Sequence, residues 1–198
     1  MPKIDSEQFY TSAIKTHGIS AKGVNWASKE NQELRFDALL KLLPNNLSNL
    51  TLGDAGCGFG DFYLYLEKKK KLPKKYIGID SLVDMYSIAS ENTAEEIIIA
   101  DICKEELPVL DFYVCSGALN VLTPFETQLF IQNCYKSSKK GFIFNALLGE
   151  KKSETYNYLS ITQVDKIADD LKVKEVKYLQ GYLEDDITVA FLRDYSKS

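Results

Sequence analysis

Leu52-Gly53-Asp54-Ala55-Gly56-Cys57-Gly58-Phe59-Gly60-Asp61 ends a β-rich run on alternating glycines and opens into a helical pattern. Glycines at 56, 58 and 60 remove the Cβ atoms that would hold a ligand off the backbone, and they permit a tight turn that turns amide groups toward it. Such a turn between a first strand and its crossover helix suits a nucleoside. Asp80 follows about twenty residues later at the end of the next strand-like run, where a doubly wound fold places a carboxylate for ribose hydroxyls. Asp101 ends a third run at the same expected edge, so Asp54, Asp80 and Asp101 line adjacent strand ends. An acidic rim of this kind suits a cationic ligand.

Outward from this stretch, apolar periodicity predicts seven strands, at 51–55, 76–80, 97–101, 112–116, 141–146, 173–179 and 187–193. Helices separate most of them. Thr123-Pro124-Phe125-Glu126 combines a capping threonine, proline at the first helical position and Glu three residues on, which starts a helix running to about Ser138. Ser160-Ile161-Thr162-Gln163 is a second capping box, followed by Val164, Ile167, Ala168 and Leu171 on one face. The same spacing in Leu82, Met85, Tyr86 and Ala89, and in Phe36, Leu39, Leu40 and Leu43, predicts two more helices packed on the sheet.

Strands joined through helices pair in parallel. Only about six residues, 181–186, separate the last two strands, so a hairpin with one antiparallel strand should end the sheet. The expected architecture is an α/β, Rossmann-like, doubly wound seven-stranded sheet with helices on both faces.

At 198 residues, with 45% hydrophobic and 26% charged side chains, one compact domain is expected. A formal charge of −4 argues against a surface that neutralises a phosphate backbone, so small molecules or proteins are favoured over nucleic acid. Lys68 to Lys71, with Lys74 and Lys75, fall at the sheet edge away from the acidic rim and are expected to be a solvated cluster. No run approaches the roughly 20 apolar residues that cross a bilayer, and the first residues lack the apolar core of a signal peptide. Cytoplasmic localisation without membrane association is the expectation. Cys57, Cys103, Cys115 and Cys134 are scattered and have one histidine between them, so reduced thiols are expected rather than disulfides or a metal site.

From about Leu50 to Arg193 the chain resembles the class I S-adenosylmethionine-dependent methyltransferases. Asp54-Ala55-Gly56-Cys57-Gly58-Phe59-Gly60 is similar to that family's acidic G-x-G-x-G motif, whereas dinucleotide dehydrogenases use G-x-G-x-x-G and here the last position is Asp61. Gly78-Ile79-Asp80-Ser81 resembles its ribose-binding motif, Ala100-Asp101-Ile102 its adenine-contacting motif, and Asp111 to Gly117 its fourth strand. The resemblance implies S-adenosylmethionine as cofactor, with Gly56, Cys57, Gly58 and Gly60 beside the methionine part. It further implies Asp80 and Ser81 on the ribose, Asp101 and Ile102 on adenine, and Ser116 and Gly117 near the sulfonium. Residues 1–48 then form a helical lid and 49–198 the cofactor-binding core of a single domain.

Methyl transfer from a sulfonium is an in-line displacement with an activated leaving group, so alignment alone can supply on the order of 7–11 kcal/mol. A general base is needed only where the attacking atom must first lose a proton. The family motif for base and glutamine amino groups, Asn-Pro-Pro-Tyr, is absent, since Ser116-Gly117-Ala118-Leu119-Asn120 stands in its place. A small carboxylate, amine or hydroxyl metabolite, methylated on O or N and held by the N-terminal segment and the loops after strands four and five, is expected, with His17, Trp26, Asn120, Asn145, Tyr156 and Tyr158 as candidates. His17 can serve as a base near neutrality or be simply solvated. Trp26 and Arg35 read either as a cover with Arg35 on the cofactor carboxylate, or as parts of an amphipathic helix docked through Phe36. Two other readings stay open, a non-catalytic S-adenosylmethionine-binding module or sensor and a nicotinamide-dependent oxidoreductase.

Overall fold

The computed structural model describes residues 6–18 and 28–194. Two helices, α1 (Ser6–His17) and α2 (Lys29–Leu42), precede the sheet. The sheet then begins β1 (Thr51–Ala55), α3 (Asp61–Lys68), β2 (Lys75–Asp80), α4 (Val83–Thr93), β3 (Glu96–Ile99), β4 (Leu110–Cys115). It continues through α5 (Pro124–Ser137), β5 (Ser138–Leu148), β6 (Tyr158–Leu159), α6 (Ile161–Asp170), β7 (Glu175–Gln180) and β8 (Asp186–Leu192).

The strand order is β3-β2-β1-β4-β5-β8-β7, with β6 paired to β5 outside this path. All pairs are parallel except those of β8, which runs antiparallel to both β5 and β7, as the short final connection requires. The expected seven strands are corrected to eight: β6 is only two residues long, too short to show an alternating pattern in the sequence. The third strand ends at Ile99, so Asp101 lies two residues beyond it, in a turn.

Side chains alternate across the sheet and fill two cores. Phe142, Phe144, Val189 and Phe191 face α5 and α6. Ile143, Ala190 and Leu192 face the other way, onto Phe36, Leu39, Leu40 and Leu43 of α2. Both predicted capping boxes are formed, Thr123 with Glu126 at α5 and Ser160 with Gln163 at α6. On α4 the buried face is Met85, Ala89 and Thr93, while Tyr86 is turned outward, away from the predicted stripe. Lys68 and Lys69 pair with Glu33 and Asp37 of α2, and Lys75 with Glu96, all at solvent-exposed positions. No helix among the described residues is long and apolar enough to cross a membrane. The four cysteines are free.

From β1 the chain passes to β2 on one side, and the sheet continues to β4 on the other. The loops leaving the carboxyl ends of β1 and β4 therefore part in opposite directions and open a crevice between them, the place where open α/β sheets bind ligands.

Candidate functional site

A cavity of about 360 Å3 occupies that crevice. Its size falls within the range of small-molecule sites. The turn after β1 forms its floor: Gly56 and Cys57 both donate their N–H to the Ile79 carbonyl, at 2.8 and 3.1 Å, so the turn is stitched to β2. Gly56 has φ +76°, and a Cβ there would stand 2.6 Å from Cβ of Ala118 in the short 3-10 helix Ala118–Val121. Only glycine lets the two loops approach this closely. Gly60 (φ +81°) serves differently, since it starts α3 and a Cβ there would meet Thr93 of α4 at 2.4 Å; it does not line the cavity.

Asp80 locks this floor in place. One carboxylate oxygen accepts the Gly58 N–H at 3.0 Å and the other the Leu82 N–H at 3.1 Å. Burial holds its pKa above the usual carboxylate value, against the lowering effect of these N–H groups. A carboxylate offers roughly four lone-pair sites, so this one retains acceptor capacity for hydroxyl groups in the cavity. Asp54 is more deeply placed. Burial pushes its pKa to about 7, opposed by the Tyr76 hydroxyl that donates to it at 2.7 Å and aided by Asp80 and Asp61. The Cys57 thiol is likewise pushed up by burial, then by Asp80 and Asp54, and lines the cavity as a neutral group.

Farther along the rim, Ser81, Leu82, Met85, Asp101, Ile102 and Cys103 line the cavity, with Leu82, Met85 and Ile102 apolar and Asp101 acidic. Asp101 accepts the Cys103 N–H at 3.0 Å and holds Lys104 at 2.6 Å.

The N-terminal helices cover the opposite side. Phe9 from α1 lines the cavity, as do Asn31, Gln32, Arg35 and Phe36 from α2. Gln32 donates to Asp61 at 3.0 Å, tying α2 to the glycine turn. Arg35 forms a bidentate pair with Asp186 at the start of β8, both bonds at 2.7 Å and both side chains nearly inaccessible. Docking through Phe36 and lining the cavity through Arg35 thus occur together. Trp26 and the side chain of His17 lie outside the described residues.

After β4 the walls change character. Ser116, Gly117, Asn120, Val121 and Leu122 line the cavity with Tyr156 and Tyr158. The Ser116 hydroxyl and the Asn120 Oδ1 are buried without a hydrogen-bond partner. Asn145 is not among the lining residues: its Nδ2 donates to Thr188 at 2.8 Å, inside the sheet.

The structure thus brings together Asp54, Gly56, Cys57, Gly58, Asp80, Ser81, Asp101, Ile102, Ser116, Gly117, Arg35, Asn120, Tyr156 and Tyr158, and leaves out Gly60 and Asn145. What the sequence did not reveal is that Gln32 and Asp61 are partners within the site. Their partnership spans 29 positions, and the available signal was Gln32 lying one helical turn before Arg35 on the same face. Phe9 carried no such signal.

This architecture, with its glycine turn beneath a rim of carboxylates, is the class I S-adenosylmethionine-dependent methyltransferase fold. The chain shares it with magnesium protoporphyrin IX methyltransferase of Synechocystis with bound SAH, at TM-score 0.66 and 14% identity over 83% of each chain. It shares it also with human N-acetylserotonin methyltransferase in complex with SAM, at TM-score 0.69 and 13% identity, covering 98% of this chain and 61% of that one. In sequence it is 26% identical over 165 residues to the carboxy-S-adenosyl-L-methionine synthase of Campylobacter jejuni subsp. doylei, across 80% of this chain. The chain spans 65% of the length of that relative. No family model matches it.

Proposed function

We propose that the chain binds S-adenosylmethionine at this rim and transfers its methyl group to a small-molecule acceptor. The observation that carries the reading is the Asp80 carboxylate, fixed by Gly58 and Leu82 N–H groups at the mouth of a cavity floored by a turn that tolerates no Cβ at Gly56. The residues present suit the cofactor. An apolar wall at Leu82, Met85 and Ile102 and clustered carboxylates match a flat base and a cationic sulfur, and the Ser116 hydroxyl, buried without a partner, leaves a hydrogen bond in the cavity for a ligand to complete.

In this reading Gly56, Cys57 and Gly58 hold the methionine part, Asp80 and Ser81 the ribose, and Asp101 and Ile102 the adenine. Asp54, Ser116 and Gly117 stand toward the sulfonium, and Arg35 toward the cofactor carboxylate. The bound cofactor supplies a methyl group on positively charged sulfur. The chain's own part is to exclude water with α1 and α2, to fix orientation through Asp80, and to offset positive charge with Asp54 once it is ionised. Alignment of that kind is sufficient for an in-line displacement. Asn120, Tyr156 and His17 are the candidates for touching the acceptor. Residues 1–48 act as the cover of a single domain. A cytoplasmic site of action, with neither membrane nor nucleic acid as partner, goes with this reading, and four free thiols suit a reducing compartment.

A second reading, formation of a carboxylated S-adenosylmethionine, is favoured by the name of the sequence relatives. A carboxylate donor would call for a cationic contact of its own, yet Arg35, the cationic residue lining the cavity among the described residues, is shared between Asp186 and, in the reading above, the cofactor carboxylate.

Incubation of purified protein with isotopically labelled S-adenosylmethionine and a metabolite extract, followed by mass spectrometry, tests the proposal. A labelled methyl group on an extract component is expected. A carboxylated cofactor would support the second reading, binding without transfer would leave a sensor, and no binding would defeat all three.

A further inference from the structure

Resting on that cofactor reading, we infer that the acceptor subsite takes an uncharged or cationic compound that donates a hydrogen bond, an amine or hydroxyl on an apolar body, and rejects carboxylate acceptors.

The first observation is the Asn120 Oδ1, buried in the cavity wall without a partner. A carbonyl oxygen can only accept, so what completes it must bring an N–H or O–H. The residue is not free to turn away through its backbone. Its N–H donates to the Gly117 carbonyl at 3.0 Å, and its carbonyl accepts the Asn157 N–H at 2.7 Å. Asn157 is in turn buried and bonded through Nδ2 to Thr127 at 2.9 Å. The backbone that carries the orphaned oxygen is therefore held in place by the fold, and the Ser116 hydroxyl, which lines the same cavity, can either donate or accept.

The second observation is charge. Asp54, Asp61, Asp80 and Asp101 all line this cavity, and the lining cation Arg35 already has its fork on Asp186. In a half-enclosed, low-dielectric space an added anion meets this field at close range, whereas a neutral or cationic group does not. The third is the apolar surface: Val121, Leu122, Leu147 and Tyr158 line the same cavity as the polar pair and offer the acceptor's body mainly packing contacts.

Three probes of one size and different charge separate these effects: benzylamine, benzyl alcohol and benzoate, titrated into the full chain saturated with S-adenosylhomocysteine so that no turnover intervenes. Benzylamine and benzyl alcohol are expected to bind at least about tenfold tighter than benzoate. In Asn120→Leu the affinity for benzylamine should fall about tenfold while that for S-adenosylhomocysteine is unchanged, as for one lost hydrogen bond to a charged group. Asn120→Asp should tighten benzylamine and weaken benzoate further, and with the wild-type ranking it decides the matter even if Asn120→Leu fails to fold. Benzoate binding as tightly as benzylamine, none of the three binding, or both variants leaving the ranking unchanged would overturn the inference. Failure of S-adenosylhomocysteine itself to bind would instead overturn the cofactor reading beneath it.

Discussion

On the glycine-turn side of the cavity, the carboxylates of Asp54, Asp80 and Asp101 each have protein partners: the Tyr76 hydroxyl, the Gly58 and Leu82 N–H groups, and the Cys103 N–H with Lys104. On the side after β4, the Ser116 hydroxyl and the Asn120 Oδ1 have none. One wall is completed by the fold and the other is left for a ligand to complete. Buried polar groups cost free energy when unpaired, so the first wall is rigid before anything binds and the second carries its unmet hydrogen bonds to the ligand.

The largest expected effect lies on the completed wall. Asp54 has its pKa raised from 3.8 to about 7, so the folded chain keeps a proton that the unfolded chain has lost across that interval. The share of ligand-free stability that Asp54 controls is then greatest near or below pH 4, falls as pH rises, and is lost in full, about 4 kcal/mol as an upper figure, above about pH 7. Asp80 adds a slope of the same sign. Denaturant midpoints measured across this range should fall for the wild type and fall much less for Asp54→Asn; parallel curves would show that Asp54 is not buried as described.

Next comes the turn itself. Gly56→Ala places a side chain on a left-handed residue against Ala118, and should cost about 1–3 kcal/mol in chemical denaturation together with most of the affinity for S-adenosylhomocysteine. An unchanged midpoint would mean that the two loops are free to move apart. Asp80→Ala should weaken S-adenosylmethionine binding by about one to two powers of ten in calorimetry, through lost charge-assisted bonds.

The smallest effect belongs to the other wall. Ser116→Ala deletes a hydroxyl that no protein group uses, so the ligand-free unfolding free energy in chemical denaturation should stay within about 0.5 kcal/mol of the wild type or rise slightly. A clear loss of stability would show a hidden partner and erase the contrast between the walls.

The same contrast governs how much was legible in the sequence. The glycine turn, Asp80, both capping boxes and the antiparallel ending are local patterns, written in residues a few positions apart, and the fold repeats them. The strand after Leu148 was illegible because two residues show no period, and Tyr86 was misplaced because the buried face of α4 runs through Met85, Ala89 and Thr93, a stripe that leaves Tyr86 outside. Asp186 clasping Arg35 across 151 positions, and Gln32 reaching Asp61, are products of tertiary packing that no local spacing announces. Asn145 was assigned to the pocket because its strand leads there, yet alternation along β5 turns its side chain to Thr188.

A crystal of the chain grown with S-adenosylhomocysteine puts the whole account at risk in one experiment. Density should run along the carboxyl ends of β1, β2 and β4, with ribose hydroxyls within hydrogen-bonding distance of Asp80 and the base beside Ile102. A rim left empty, or the compound seated elsewhere on the molecule, would contradict it.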